Sequence, residues 1–170
     1  MSKTLLMILK NLNKNFLINV FLISLIFLLD RISKIYVIYL NQKLLGSEIF
    51  SSNYLNISLI WNEGIAFGLF SFSKTIIYDL LTLFILIVIL VIFIMLIKSK
   101  DLRKYPLLMI FGGAIGNLYD RVFYKAVPDF IDLHVNNFHW FIFNIADIFI
   151  TVGVIFMILI EIIANKKKHE

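Results

Sequence analysis

The chain has 170 residues, of which 61% are hydrophobic and 16% are charged, and its mean hydropathy is +0.92. A water-soluble domain is usually closer to half apolar, so this composition indicates a protein that lies in a bilayer. The chain contains no cysteine, which excludes disulfides, thiolate nucleophiles and cysteine-ligated metal sites.

Four apolar segments follow one another along the chain, and we predict a membrane-spanning helix for each. Such a helix needs about 20 mainly apolar residues. The second segment is the clearest, because Thr82 is the only polar residue between Leu80 and Ile97. We expect the four helices to form a single membrane-embedded domain, 1–170. Their predicted boundaries are 16–38, 76–97, 105–124 and 142–162.

Basic residues mark three parts of the chain: the N-terminus, the link between the second and third segments, and the C-terminal tail. Loops rich in lysine and arginine stay in the cytoplasm, so we expect both termini inside and the other two links outside. The formal net charge of +5 is then a topology signal. The sequence has no basic face with interleaved aromatic residues, so we expect no nucleic-acid partner. The basic residues are Lys3, Lys10, Lys14, Lys98, Lys100, Arg103, Lys104, Lys166, Lys167 and Lys168.

Polar and ionisable residues recur near the predicted outer ends of the first, third and fourth helices. Asp30 lies roughly 20 Å along its helix from the predicted start, at 1.5 Å per residue. Asn117, Asp120 and Arg121 have the spacing i, i+3, i+4, which places them on one helix face. Asn144 and Asp147 lie near the start of the fourth segment. Because ionisable groups in a span are costly, we expect these to line a site.

The outer link, residues 41–75, is predicted to be rich in β-structure. Apolar residues alternate with mostly polar ones from Leu55 to Trp61, the pattern of a strand. A second alternating segment, 138–143, is expected to pair with it. Three phenylalanines follow the first strand, and we interpret them as an apolar platform at the membrane interface. They are Phe67, Phe70 and Phe72.

Carboxylates are the chemical groups that remain once other catalytic patterns are excluded. The sequence has no HExxH motif, and its three histidines have no ligand spacing, so we expect neither a metal nor another cofactor. Two aspartates held close together share a proton, and such a pair can polarise a carbonyl and activate water. This is the chemistry of an aspartic peptidase. The histidines are His134, His139 and His169, the first two placed in the outer loop.

Five sequence blocks and a short one after them resemble the prolipoprotein signal peptidase family, also called signal peptidase II. They occur in the family's order and extend from the first predicted span to the fourth. The blocks are Asp30-Arg-Ile-Ser-Lys34, Asn62-Glu-Gly-Ile-Ala-Phe-Gly68, Gly112-Gly-Ala-Ile-Gly-Asn-Leu-Tyr-Asp-Arg121, Val127-Pro-Asp-Phe130, Phe143-Asn-Ile-Ala-Asp147 and Thr151-Val-Gly153.

The resemblance implies a membrane aspartyl endopeptidase with four transmembrane helices and a small extracytoplasmic β-cradle between helices 1 and 2. It implies a site near the outer face of the bacterial cytoplasmic membrane. The substrates would be diacylglyceryl-modified prolipoproteins, cut on the amino side of the lipidated cysteine, with membrane lipid as the surrounding partner. The catalytic pair would be Asp129 and Asp147. Supporting or substrate-binding residues would be Asp30, Lys34, Asn62, Gly64, Gly116, Asn117, Asp120, Arg121 and Asn144.

Other interpretations of the same residues remain open at this point. Arg31 and Lys34 can be a structural ion pair or cations that extend toward the interface. Asp132 and Glu63 are expected to be solvated loop charges. A small four-helix proton-coupled transporter also carries intramembrane carboxylates, although such carriers usually bind near the midplane. A non-catalytic assembly factor would tolerate the loss of both Asp129 and Asp147.

Overall fold

The structure, a computed structural model, describes residues 14–64 and 75–169. The predicted phenylalanine platform and the first two N-terminal lysines lie outside these residues. The helices are α1 Lys14–Lys43, α2 Thr75–Lys98, α3 Lys104–Tyr124 and α4 Ile145–His169. The strands are β1 Phe50–Ser51, β2 Leu55–Asn62, β3 Val127–Val135 and β4 Phe138–Phe143.

Three of the four helices, α1, α2 and α4, are long and apolar enough to cross a bilayer. Helix α3 has 21 residues, but its last turns carry Asp120 and Arg121. Large apolar side chains such as Phe21 and Phe84 are exposed along the outer helix surfaces. These apolar side chains suit contact with lipid. Each helix also satisfies its own backbone hydrogen bonds, as a bilayer requires. The predicted fourth span begins three residues early, because residues 142 and 143 belong to β4.

Helix α3 lies at the centre of the bundle, and it contacts each of the other three helices. Glycines allow this close approach. A Cβ on Gly113 would lie 2.5 Å from the backbone oxygen of Ala146 in α4, and one on Gly116 would lie 2.6 Å from an Asp30 oxygen in α1. Small residues are the usual means by which helices approach one another in lipid. The glycines therefore set how near the polar residues of α1, α3 and α4 come to one another.

The strands form one antiparallel sheet in the order β1-β2-β3-β4. Two of our expectations about it were wrong. Strand β4 pairs with β3 rather than with β2, and half of the sheet comes from the link between α3 and α4 rather than from residues 41–75. Strand β3 was not predicted because Pro128 cannot donate to a ladder. It is tolerated here beside the start of the strand, opposite Trp61.

Candidate active site

Asp129 lies near the beginning of β3, where the strand leaves α3. Its carboxylate is almost completely buried, with only 3% of the residue exposed. Asn62 on β2 donates a hydrogen bond to it at 2.8 Å, and Asn144 donates another at 2.6 Å. Asn62 and Asp129 are diagonal neighbours across the β2–β3 ladder, a separation that side chains on one sheet face can bridge. The sheet therefore positions this carboxylate.

Asp147 lies in the first turn of α4, and Asn144 is the residue that caps this helix. The side-chain oxygen of Asn144 accepts the backbone N–H of Asp147 at 3.1 Å, and the Asp147 carboxylate accepts the backbone N–H of Asn144 at 3.2 Å. This reciprocal pair is a capping box. Asn117 on α3 donates a further hydrogen bond to Asp147 at 2.8 Å. Asp147 is thus held by the helix start and by α3.

Asn144 connects the two carboxylates. Its side-chain nitrogen donates to Asp129 and also to the oxygen of Asn117, at 2.6 and 3.2 Å, while its backbone donates to Asp147. Asn144 is completely buried, so water does not compete for these bonds. The structure therefore brings together Asp129, Asp147 and the asparagines that sequence analysis proposed to support them.

The electrostatic environment favours a proton on Asp129. Burial is the largest cause, and the charge of nearby Asp147 acts in the same direction. The hydrogen bonds from Asn62 and Asn144 and the charge of Lys34 oppose the shift. Burial and Asp147 outweigh these groups, and the net effect raises the pKa of Asp129 from 3.8 to about 6. A carboxyl with this pKa beside a second carboxyl can hold or release a proton near neutral pH.

A buried ion cluster of Asp30, Arg31, Lys34 and Asp120 contacts Asn117, one of the residues that bind Asp147. The Lys34 amine lies 2.9 Å from Asp30 and 2.7 Å from Asp120, and it donates to Asn117 at 2.8 Å. Arg31 contacts both oxygens of Asp120 at 2.6 and 2.7 Å. Of the two alternatives that the sequence left open for Arg31 and Lys34, the structure shows the ion pairs.

The ion cluster also reaches α4. Asp30 accepts the backbone N–H of Ala146 at 3.1 Å, so it satisfies a free donor at the helix start. Lys34 fixes Asn117, which in turn holds Asp147. The hydrogen bonds of Asp30 and Lys34 therefore reach the Asp147 region through neighbouring groups, namely the Ala146 backbone and the Asn117 side chain.

Arg121 anchors the chain that follows β2. Its guanidinium donates to the backbone oxygen of Gly64 at 3.2 Å and to that of Asn117 at 3.2 Å. The N–H of Gly64 donates to the Asn62 side chain at 2.9 Å. Both Asn62 and Gly64 are thereby held close to Asp129.

Asp132, His134 and His139 differ from what the sequence indicated. Asp132 is buried on β3 rather than solvated in a loop, and its carboxylate lies 2.9 Å from His139 on β4. The rings of His134 and His139 are stacked with centroids 4.9 Å apart. The two histidines face each other across the ladder, so they are strand residues rather than loop residues. Glu63 is exposed as expected.

Sequence reasoning also missed an apolar cavity of about 340 Å³ that reaches Asp147. Its walls come from β4 and the first two turns of α4. The wall that α4 contributes could have been predicted from the sequence, because its residues follow Asp147 at the spacing i, i+1, i+4, i+5, which lies on one helix face. The lining residues are Trp140, Phe141, Phe143, Asp147, Ile148, Thr151 and Val152.

The family described as Signal peptidase (SPase) II matches residues 22–163 of the chain. The chain belongs to this family. A lipoprotein signal peptidase of Pelagibacter ubique is 48% identical over 155 residues, covering 91% of this chain and 93% of that protein. Another, from Anaplasma marginale, is 38% identical and covers 91% and 89%. Signal peptidase II enzymes are membrane aspartic peptidases, so this chain is a hydrolase that removes signal peptides from prolipoproteins.

Two solved structures of bacterial membrane enzymes resemble this one over most of its length. A bacterial membrane enzyme determined by the in meso method at 2.3 Å resolution has a TM-score of 0.68 and 27% identity, covering 89% of this chain and 91% of that one. A second such enzyme, determined at 1.9 Å, has a TM-score of 0.63 and 30% identity, covering 85% and 91%. The chain is therefore a multi-pass membrane protein, and the transporter alternative finds no support.

Proposed function

We propose that Asp129 and Asp147 are the catalytic pair of this signal peptidase II. The observation that carries the proposal is Asn144, which donates a hydrogen bond to each carboxylate and is itself fully buried. Two carboxyl groups held this way share a proton, because both cannot easily ionise in a dry site. They titrate as a pair.

The reaction follows from this shared proton. The ionised carboxylate removes a proton from water, while the protonated carboxyl donates a hydrogen bond to the oxygen of the scissile carbonyl. The C–O bond forms and gives a tetrahedral intermediate. The C–N bond then breaks as the nitrogen takes up a proton from the carboxyl that received it. Both products leave, and the pair again holds one proton.

The substrate proposed is a prolipoprotein whose cysteine already carries diacylglycerol, cut on the amino side of that cysteine. The apolar cavity beside Asp147 offers almost no polar surface to a ligand, as suits apolar parts of a membrane-borne substrate. The exposed apolar side chains along the helices support access to the site from lipid. Membrane lipid is therefore the medium through which the substrate arrives.

In the proposed topology all four helices of the single domain span the membrane and both termini are cytoplasmic. The support is the basic link between α2 and α3, which contains Lys98, Lys100, Arg103 and Lys104. The polar end of α3 is then the outer end, and the sheet lies at the outer interface. α3 spans despite its polar residues because they face the other helices rather than lipid.

The remaining site residues are proposed to position the pair. Asn62, Asn117 and Asn144 hold the carboxylates, and Arg121 with Gly64 fixes the chain beside them. Within the ion cluster, Lys34 orients Asn117 and Asp30 holds the start of α4. Gly116 lets α3 approach Asp30 of α1.

The test is cleavage by the purified, lipid-reconstituted protein of two precursors that differ only in diacylglycerol on the cysteine. We expect only the modified precursor to be cut, and we expect Asp129→Asn and Asp147→Asn each to lose at least about 10³-fold in rate, because a shared-proton pair needs both carboxyls. Asp79→Asn, at an exposed ion pair with Lys125, is the matched control. Near-normal cleavage by either site variant would remove that residue from the pair, and equal cleavage of both precursors would overturn the substrate proposal.

A further inference from the structure

We propose that Asp132, His134 and His139 form a binding site for a divalent transition-metal ion of the Zn²⁺ type on the β3–β4 hairpin. This proposal is independent of the peptidase proposal above. It departs from the expectation, drawn from the absence of ligand spacing among the histidines, that the chain binds no metal. Three observations carry it: the arrangement of the side chains, their chemistry and an unsatisfied ring nitrogen.

The ladder brings the three side chains to one face of the sheet. Asp132 and His134 are two residues apart on β3, so both point the same way, and His139 is the register partner of His134 on β4. One potential ligand atom from each residue lies within 4.8 Å of the other two. A shell with Zn–N bonds of about 2.0–2.1 Å needs ligand atoms roughly 3.4 Å apart. Rotations of the two rings and the carboxylate can supply this contraction.

The donor set is suited to such an ion. Two imidazoles and one carboxylate are common protein ligands of Zn²⁺ and related metals, and catalytic or exchangeable sites leave the fourth position to water. The Asp132 carboxylate already faces the His139 ring, with its oxygens 2.9 and 3.1 Å from Nδ1. The His139 side chain is half exposed, so an ion can enter from that side.

The third observation concerns the His134 ring. Its Nδ1 atom is buried and has no hydrogen-bond partner within residues 14–64 and 75–169. A buried polar atom without a partner costs free energy, and metal coordination would use the ring's lone pair. The Asp132–His139 contact alone would not explain why His134 stacks on His139 with this nitrogen unsatisfied.

The ion would fasten β4 to β3 three residues beyond Asp129. Alternation along β3 places Asp129 and Asp132 on opposite faces of the sheet. The metal would therefore not touch the proposed catalytic pair. It would stiffen the strand that carries Asp129, and metal binding is expected to appear as stability of the outer sheet.

The experiment uses the full chain in detergent, with any polyhistidine tag removed and metals stripped by chelator. Zn²⁺ titration is followed by calorimetry, and Co²⁺ substitution by visible absorption. We expect one ion per chain and a higher thermal midpoint with Zn²⁺. His134→Gln, His139→Gln and Asp132→Asn should each weaken binding by more than about tenfold, the size of effect seen when metal-site groups are lost.

His169→Gln provides the matched control, because His169 ends α4, 30 residues along the chain from His139, and its replacement should leave Zn²⁺ affinity unchanged. The Co²⁺ spectrum of the unaltered protein reports nitrogen ligands without any substitution. It therefore tests the proposal even if a variant does not fold. Absence of stoichiometric Zn²⁺ binding by the unaltered chain would overturn the proposal. So would binding that survives Asp132→Asn unchanged, which would indicate adventitious capture by a histidine pair.

Discussion

Asn144 makes polar contacts with three residues of the proposed site, and each contact uses a different capacity of its amide and backbone. It donates to Asp129 and Asn117 through the side chain, and it exchanges hydrogen bonds with Asp147 as a helix cap. No other residue type of this size offers two donors and an acceptor in one plane. The position of each carboxylate therefore depends on an uncharged side chain.

Asn62 provides a test of how hydrogen bonding sets the titration of the pair. It donates to the Asp129 carboxylate at 2.8 Å, which favours the ionised form and lowers the pKa. Replacing it by Leu removes that effect, so the pKa of Asp129 rises above its value of about 6. We expect the alkaline limb of the kcat/KM profile, where the pair loses its shared proton, to move to higher pH.

The measurement is the pH dependence of cleavage of a lipid-modified precursor. Asn56→Leu is the control, because Asn56 lies on the same strand but contacts Ser51. Its limb should coincide with that of the unaltered enzyme. A limb that stays in place or moves to lower pH in Asn62→Leu would show that Asp129 does not govern that titration.

Single residues also show what the sequence could and could not reveal. The level of Asp30, Asn117 and Asp147 along their helices could be predicted from counting residues, because helices have a fixed rise. The contacts of Asp132 could not, because they depend on the register of two strands. Local patterning carries no information about which strand will lie opposite.

At the scale of elements, the α3–α4 contact sets the geometry of the site. The Cα of Gly113 faces the Ala146 backbone oxygen, and a Cβ there would lie 2.5 Å from it. Gly113→Ala should therefore push the start of α4 away from α3. We expect a loss of about 1–3 kcal/mol in the free energy of unfolding, together with reduced kcat, because Asp147 moves with α4.

Unfolding in mixed micelles and single-turnover cleavage measure the two effects. Gly112→Ala is the matched control: it adds the same methyl group against the Ile26 side chain at 3.1 Å, which can adjust where backbone cannot. If the two variants behaved alike, the close approach of α3 to α4 would not be what positions Asp147.

The ion cluster joins α1 to α3, and Lys34 is its fully buried centre. Lys34→Met would leave Asp30 and Asp120 buried with one cation fewer. Breaking a buried ion pair from one side typically costs about 3–5 kcal/mol, and we expect a loss of that size in the free energy of unfolding. Lys125→Met, at an exposed pair with Asp79, should cost about 1 kcal/mol or less.

Thermal or denaturant unfolding of both variants in the same detergent gives the comparison. Equal stability of Lys34→Met and Lys125→Met would contradict a structural role for the cluster.

The four helices themselves were predictable from runs of apolar residues, whereas β3 was not, because Pro128 and two aspartates obscure its pattern.

For the whole molecule, the proposed topology can be tested cleanly because the chain has no cysteine of its own. A single Lys100→Cys reports the link between α2 and α3, and a single Asn137→Cys reports the turn between β3 and β4. With a membrane-impermeant maleimide added to intact cells, we expect labelling of Asn137→Cys only. Both positions are exposed.

Labelling after the membrane is opened should modify both variants and serves as the control for reactivity. If Lys100→Cys were labelled from outside, the orientation would be reversed and the proposed site would face the cytoplasm. Labelling of both in intact cells would mean that the chain inserts in mixed orientations.

The arrangement of charges in the ion cluster has a consequence for how the chain assembles. Both cations, Arg31 and Lys34, belong to α1, whereas Asp120 belongs to α3, which is made later. Lipid gives a helix no hydrophobic reason to prefer one neighbour over another. Helix α1 therefore carries an unbalanced positive charge until α3 arrives, and rotating or sliding either helix by one turn would separate the opposite charges. We therefore expect the ion cluster to favour the pairing of α1 with α3, and the alignment of these two helices along their axes, during biogenesis.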